Sequence, residues 1–211
     1  MSNYLQADKD YNAAEFLKYV EDEIQKPGNE NNRYELINGQ IYMMSSPNEI
    51  HYDLSRFIEK FLDSYFEKTD CKVYHAPFDL FLLGKNRVIS LKSAKRNCKD
   101  VAVPDLMVVC DKNKRKLNGV HGAPDLIIEV VSKSSIKTDY FEKLYSYMHS
   151  GVREYWIIDP MKRKAMVYTR DADGRLLSAN YNFSDAVRSE TFDALCVDFA
   201  QFQQETYSDD E

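Results

Sequence analysis

Apolar residues in the first third of the chain follow two spacings. From Leu54 to Tyr65 they recur at intervals of three and four residues, which predicts an amphipathic helix. Before it, Asn38-Gly39 separates two apolar arms, and residues that readily adopt positive φ predict a two-residue turn in a β-hairpin. Another helix is predicted over residues 12–25. The chain is therefore expected to begin with a helix, a hairpin and a second helix.

The middle of the chain contains apolar runs of strand length and one further helical stretch. Pro77 predicts an edge or a bulge in its strand, because proline cannot donate to a sheet ladder. Gly151 stands where a left-handed residue would end the helix. A strand, a helix and a strand in succession predict a crossover between parallel strands. The predicted strands are 72–83, 87–91, 103–110, 125–132, 154–159 and 164–169, and the helix is 138–149.

Composition narrows the class of protein. The 211 residues are 44% hydrophobic, which is enough for the core of one α/β domain over 1–211 with an acidic tail from about residue 205. The four cysteines lack the paired spacing of a zinc site or a disulfide framework, so a reducing, cytoplasmic location is expected. No stretch is long enough to span a bilayer, and no membrane partner is predicted.

Charge is distributed unevenly along the chain. The net charge is −6, yet residues 85–143 carry 13 basic and 7 acidic side chains. A basic segment in an acidic chain is compatible with a polyanionic partner, and equally with solvated lysine-rich loops. If the partner is DNA, the predicted phosphate contacts are Lys92, Lys95, Arg96, Lys99, Lys112, Lys114, Arg115 and Lys116.

Two carboxylates interrupt the most apolar strands. Asp105 lies in the first and Glu129 in the second, and an ionised carboxylate in a buried strand needs a compensating cation. If the strands are neighbours, the two side chains can approach each other, and a hard cation such as Mg²⁺ or Mn²⁺ would relieve their repulsion. Asp125 shares a strand face with Glu129, but is better explained as a residue that opens the strand and caps a turn.

Lys143 is the candidate cation for chemistry beside these carboxylates. Helical side chains lean toward the N-terminus of their helix, so its ammonium could reach back toward the strand end that bears Glu129. The alternative is an i, i+4 ion pair with Asp139 on a solvated helix face, worth about 0.3–0.5 kcal/mol. The spacing alone favours the ion pair.

The order of several sequence blocks resembles one family. Pro104-Asp105, followed after 23 residues by Glu129, is similar to the PD-(D/E)xK nuclease signature. Over about residues 12–205 the chain resembles the Uma-type family of putative restriction endonucleases in that superfamily. The blocks that carry the resemblance are RYELINGQIYMM, HAPFDLFL, VPDLMVVCD, GAPDLIIEVVSKSS, EKLYSYMHSGVREYWIIDP and VRSE.

The resemblance implies a fold and an activity. The expected fold is a restriction-endonuclease-like mixed β-sheet flanked by helices, with an N-terminal helix and a β-hairpin. The expected activity is Mg²⁺- or Mn²⁺-dependent hydrolysis of DNA phosphodiester bonds, with Asp105 and Glu129 as the metal ligands. A homodimer is expected by analogy, because cutting two strands requires two sites.

The resemblance also assigns further residues. The lysine of the superfamily motif is replaced here by Val131, and the family carries a lysine at the position of Lys143. Glu35 and His51 match family positions and could be accessory catalytic residues. Glu35 could equally be a charged hairpin residue, and His51 a capping or core histidine. The missing motif lysine and the overall acidity leave a second hypothesis, that the chain is a non-cleaving nucleic-acid-binding or regulatory module.

Overall fold

The computed structural model describes residues 9–82 and 98–203. The predicted strand 87–91, most of the loop that follows it and the acidic tail lie outside these ranges. The helices are α1 (Ala13–Ile24), α2 (Glu49–Phe66) and α3 (Leu144–Ser150), and a π-helical turn, Thr138–Lys143, leads into α3. None of the helices in the described residues has the length and apolar character of a membrane span.

Two six-stranded sheets form the framework. The hairpin sheet has the order β2-β1-β5-β4-β8-β7, and the central sheet has the order β12-β11-β10-β9-β6-β3. The strands are β1 (Arg33–Ile37), β2 (Gln40–Met44), β3 (Lys72–His75), β4 (Leu80–Phe81), β5 (Val101–Ala102), β6 (Leu106–Val109), β7 (Arg115–Lys116), β8 (Gly119–His121), β9 (Leu126–Val130), β10 (Glu154–Asp159), β11 (Lys164–Arg170), β12 (Leu176–Asn182), β13 (Ala186–Arg188) and β14 (Cys196–Asp198). The last two form a separate ribbon.

Local sequence signals are confirmed where they rest on backbone chemistry. Asn38 and Gly39 have φ values of 50° and 76° and join β1 to β2 as a two-residue turn. The side chain of Asn12 caps α1 in a capping box. Gly151 ends α3 with a φ of 99°. The parallel crossover is confirmed by the pairing of β9 with β10.

The predicted strand 72–83 is wrong because it is divided between the two sheets, and the predicted strand 103–110 is confirmed only from Leu106 onward. The run 72–83 forms β3 in the central sheet and β4 in the hairpin sheet, with a cis Ala76-Pro77 peptide between them. The run 103–110 is preceded by β5 in the hairpin sheet and forms β6 in the central sheet only from Leu106. The chain thus leaves the central sheet between β3 and β4 and returns to it between β5 and β6, and the N–H of Ala76 donates to the carbonyl of Asp105 beside these two crossings.

Apolar packing ties the helices to the sheets. The buried stripe of α2 (Leu54, Ile58, Leu62 and Phe66) packs on one face of the central sheet. The opposite face meets the hairpin sheet and α3, whose Tyr147 is fully buried there. The strands β12 to β14 were missed by the sequence pattern, because much of β12 is exposed and carries little apolar signal.

The expectation of four reduced cysteines is wrong, because Cys71 and Cys110 form a disulfide. The antiparallel register of β3 with β6 pairs Lys72 with Val109, and one step further along this register the two cysteines face each other. Their separation of 39 residues hides this pairing in the sequence. Cys98 and Cys196 carry free thiols.

Candidate active site

The predicted site residues come together in one pocket of about 230 Å³. The pocket lies at the end of the central sheet where β6 begins and β9 ends, and the β1–β2 hairpin forms one wall. The residues brought together are Glu35, His51, Asp105, Glu129 and Lys143. Because they come from β1, α2, the start of β6, β9 and the π-helical turn, the site forms only when both sheets are assembled.

Asp105 and Glu129 occupy neighbouring strand ends. The register pairs Leu106 with Ile128, so Asp105, one step before β6, lies opposite Glu129. One oxygen of Asp105, Oδ2, accepts a hydrogen bond of 2.7 Å from the backbone N–H of Val130. These contacts fix Asp105 at the edge of β9, so the predicted proximity of the two strands is confirmed.

His51 contacts the candidate metal ligand Asp105. It lies in the first turn of α2, where the side chain of Asn48 caps the helix by accepting from the N–H of His51. Its Nε2 atom lies 3.0 Å from Oδ2 of Asp105. The imidazole is neither a helix cap nor part of the apolar core, and it holds one carboxylate oxygen of Asp105 in place.

Lys143 is buried among carboxylates. Its ammonium lies 3.0 Å from Oε1 of Glu129, 3.1 Å from Oε2 of Glu35 and 3.4 Å from Oδ1 of Asp139. The i, i+4 pair with Asp139 is present, but the Lys143 side chain is only 5% exposed. The interpretation of this pair as a solvated surface contact is therefore wrong.

The π-helical turn explains how one segment supplies two charged groups to the pocket. Asp139 and Lys143 both lie in Thr138–Lys143, and residues four apart on a helix are neighbours on the same side. α3 follows directly and packs the next turn, including Tyr147, against the core. The Tyr147 hydroxyl donates to Oε1 of Glu129 at 2.7 Å. Sequence reasoning missed Tyr147, although its i+4 spacing from Lys143 was a usable signal.

Glu35 connects the hairpin sheet to the lysine. It lies in β1 and is buried, with Oε1 accepting from the N–H of Val103 at 2.8 Å and Oε2 facing Lys143. Val103 belongs to the segment in which the chain crosses from one sheet to the other. Glu35 is therefore a hairpin residue, but a buried one whose carboxylate faces the pocket lysine.

Burial and charge act together on the ionisation of the site. Burial raises the pKa of Glu129 well above its usual value, although Lys143 opposes this shift. Burial also raises the pKa of Asp139, to about 6. Burial alone would lower the pKa of Lys143, but Glu129, Glu35 and Asp139 together raise it well above the ordinary lysine value. The lysine therefore stays protonated while negative charge remains in excess, which favours a further proton or cation in the cluster.

Two carboxylate oxygens remain for a metal ion. Oδ1 of Asp105 and Oε2 of Glu129 make no hydrogen bond to any residue within 9–82 and 98–203. In the same part of the chain, no cluster of three or more His, Cys, Asp or Glu side chains is arranged as a ligand set. Mg²⁺ is commonly held by one or two carboxylates with waters and substrate phosphate as its other ligands, so this donor set fits Mg²⁺ or the similarly hard Mn²⁺.

Other candidate positions lie away from the pocket. Val131 is buried in the apolar cluster that contains Tyr147, so the motif position of the superfamily carries no charge here. Asp125 accepts from the N–H of Cys110 at 2.8 Å and pairs with Arg153 at 3.2 Å, which agrees with a structural role at the strand start. Lys133 is exposed.

Part of the basic segment is occupied by internal contacts. Lys112 pairs with Asp70 at 2.7 Å, and Lys114 donates to the carbonyl of Ala123 at 2.8 Å. Arg115 donates to the carbonyl of Val109. The lining of the pocket does not include these side chains. Lys92, Lys95 and Arg96 lie outside the described residues.

The fold and the carboxylate–lysine pocket define a restriction-endonuclease-like α/β protein. The chain belongs to the Uma2 family, described as "Putative restriction endonuclease", whose model matches residues 14–200. This match confirms the family resemblance of the sequence blocks.

Two relatives extend this comparison. A protein of Synechocystis sp., described as "Uncharacterized protein slr1290", is 24% identical over 154 residues, which cover 72% of this chain and 74% of the relative. A crystal structure of a "putative nuclease belonging to DUF820" from Anabaena variabilis aligns with a TM-score of 0.58 and 20% identity. That alignment covers 85% of this chain and 89% of the other, and it confirms the nuclease-like fold.

Proposed function

We propose that this chain is a metal-dependent endonuclease that hydrolyses phosphodiester bonds in DNA. The observation that carries the proposal is the buried ammonium of Lys143 in contact with Glu129, at the base of a pocket that also contains Asp105. A fixed positive charge beside two carboxylates is suited to a reaction in which negative charge builds on a phosphate. The family to which the chain belongs supports the same assignment.

Asp105 and Glu129 would hold Mg²⁺ or Mn²⁺ through the oxygens that the protein leaves free. The bound ion supplies a water of lowered pKa and offsets charge on the phosphate. Lys143 remains charged at neutral pH and provides a second positive group next to Glu129. Glu35 and Asp139 position that ammonium, and His51 positions Asp105 by holding its Oδ2 atom.

A duplex DNA substrate also has a consequence for the oligomeric state of the protein. Hydrolysis of both strands of a duplex requires two sites, so we propose that the active species is a homodimer. Size-exclusion chromatography with light scattering measures the molar mass directly. A dimer mass supports this part of the proposal, and a monomer mass in the presence of duplex DNA and metal contradicts it.

A non-cleaving function is the second candidate. In the structure, Lys143 contacts three carboxylates, and the motif position just after β9 holds Val131 in place of a lysine. Such an arrangement could preserve the fold of a nuclease in a nucleic-acid-binding or regulatory module. Binding of DNA without metal-dependent cleavage would identify it.

A plasmid assay tests the proposal against this alternative. Supercoiled DNA incubated with the protein and Mg²⁺ or Mn²⁺ should be converted to nicked and linear forms, and EDTA should prevent the conversion. Asp105→Asn should abolish cleavage. Asp125→Asn is the matched control, because Asp125 also precedes a central strand but does not line the pocket. Equal cleavage by wild type and Asp105→Asn would indicate a contaminating nuclease and overturn the proposal.

A further inference from the structure

A second group of side chains lines the mouth of the pocket, outward from the carboxylates. We call this group the rim, and it consists of Arg33, Met43, Tyr52 and Arg56. Tyr52 is 54% exposed and Met43 is 41% exposed. Single exposed apolar residues are common on protein surfaces, but here two of them share one pocket mouth with two guanidinium groups.

Arg33 supplies a cation on the inner side of the rim. It lies two residues before Glu35 in β1, so both side chains project from the same face of the strand. Within the described residues, its guanidinium makes no hydrogen bond and no ion pair, although the pocket contains several carboxylates. Arginine binds phosphate through a planar fork of donors, so a half-buried guanidinium in this position is suited to a phosphate group of a ligand.

Tyr52 and Arg56 form a pair on the outer side of the rim. They lie one turn apart on α2, on the side opposite to the buried stripe of that helix. Nη1 of Arg56 donates to the Tyr52 hydroxyl at 3.1 Å, and the guanidinium carbon lies 5.7 Å from the ring centroid. The pair holds the aromatic ring beside a positive charge, although both side chains are exposed.

We propose that the rim is a nucleotide subsite for DNA that is unpaired at the point of cleavage. In this inference, which rests on the proposed function, the Tyr52 ring and the Met43 side chain pack against a nucleobase. Arg33 and Arg56 contact the phosphates on either side of it. The preferred substrate is then single-stranded DNA, or a duplex with an unpaired segment, rather than a fully paired duplex.

The chemistry of the rim distinguishes these substrates. In a paired duplex the faces of the bases are covered by their neighbours, and exposing one costs a few kcal/mol. An unpaired strand offers its base faces freely. Aromatic side chains interleaved with cations are the usual means of binding such a strand. A subsite that contacted only the duplex backbone would not require an exposed tyrosine and methionine at the mouth of the pocket.

Fluorescence anisotropy with a labelled single-stranded oligonucleotide and its duplex tests this preference. The measurement uses the full chain with Ca²⁺ in place of Mg²⁺, so that binding is recorded separately from cleavage. Wild type should bind the single strand more tightly than the duplex. Tyr52→Ala should weaken single-strand binding roughly tenfold, the effect of losing one base–aromatic stack, whereas Tyr52→Phe should retain it because the ring remains.

Arg33→Ala should weaken binding of the single strand and reduce the slope of log affinity against log salt by roughly 0.7, as expected for one phosphate contact. Tyr145→Ala and Arg175→Ala are matched controls, because both residues are exposed and neither lines this pocket. Both controls should bind as wild type does.

The outcomes separate this inference from the function on which it rests. Equal affinity for both DNAs, or unchanged binding by Tyr52→Ala, overturns the subsite even if plasmid cleavage is observed. Tighter binding of the single strand that is lost in Tyr52→Ala and kept in Tyr52→Phe supports it. Absence of both cleavage and binding for either DNA overturns the proposed function and the subsite together.

Discussion

The ammonium of Lys143 lies 3.0 Å from Oε1 of Glu129, and both side chains are almost completely buried. Glu129 belongs to a central strand and Lys143 to the turn that precedes α3, so the contact joins a sheet to a helix. A charged pair of this kind is costly to bury and still more costly to break. The contact places positive charge next to Glu129, although the motif position just after β9 holds the apolar Val131.

Metal binding should depend on Asp105 and Glu129. Mg²⁺ or Mn²⁺ should raise the melting temperature of the wild type, because a ligand that binds only the folded state stabilises it. The shift should disappear in Asp105→Asn and in Glu129→Gln, which each remove one ligand oxygen. Thermal melts over a series of metal concentrations measure this shift in melting temperature.

Asp125→Asn is the control for this prediction. Asp125 makes structural contacts at the start of β9, so its replacement should lower the melting temperature while keeping the response to metal. Equal metal-induced shifts in wild type, Asp105→Asn and Glu129→Gln would contradict the assignment of these two residues.

Lys143→Ala should separate chemistry from metal binding. Loss of a positive group that faces the developing charge should reduce cleavage about 10²-fold or more, while metal-induced stabilisation persists. The free energy of unfolding in EDTA should fall by about 3–5 kcal/mol, because buried carboxylates lose their partner. Single-turnover cleavage and denaturant titration measure the two effects.

Lys143→Met is the companion variant, since it keeps the apolar stem and removes only the charge. It should be as inactive as Lys143→Ala. Cleavage at the wild-type rate by Lys143→Met would show that the ammonium has a structural role alone.

Stability should fall as pH rises through the range in which Asp139 ionises. Burial raises the pKa of Asp139 from 3.8 to about 6, so the unfolded chain releases this proton at lower pH than the folded protein does. The raised pKa therefore costs stability between about pH 4 and pH 6, by up to about 3 kcal/mol. Asp139→Asn should flatten this part of the curve in EDTA. The control Asp173→Asn, at an exposed residue, should show the same dependence of stability on pH as the wild type. If Asp139→Asn also gave the wild-type curve, the ionisation of Asp139 would not be linked to stability.

The number of reactive thiols tests whether the disulfide between Cys71 and Cys110 is present. Under denaturing, non-reducing conditions the protein should react with a thiol reagent at the two sulfurs of Cys98 and Cys196, and reduction should expose all four cysteines. Reduction should also lower the free energy of unfolding by about 2–4 kcal/mol, the usual effect of opening a cross-link. Cys71→Ser should match the reduced wild type in stability. Four reactive thiols in the freshly purified protein would show that the cross-link is absent.

Sequence reasoning succeeded where one short segment determines the outcome. The turn at Asn38-Gly39 needs only two residues that accept positive φ, and the buried face of α2 needs only its apolar spacing. Asp105 and Glu129 were identifiable because each interrupts an apolar strand, and the order of the family blocks then indicated their role as metal ligands.

Sequence reasoning failed where a contact or a strand pairing depends on residues that are distant in the sequence. The burial of Lys143 requires Glu35, which lies in another sheet, and no local pattern around Lys143 reports it. The apolar run 72–83 matches the pattern of a single strand. Only the assembled sheets show that it forms two strands, one in each sheet. The meeting of Cys71 with Cys110 likewise follows from the register of two strands.

The crossings from β3 to β4 and from β5 to β6 have a consequence for evolution. Glu35 reaches the pocket from the hairpin sheet, while Asp105 and Glu129 reach it from the central sheet, and the backbone near Ala76 and Asp105 joins the two. A substitution that alters the angle between the sheets would displace Glu35, and with it the lysine, without touching either candidate metal ligand. If the proposed activity depends on Lys143, substitutions far from the pocket would alter it, and family members that keep both carboxylates would differ in activity.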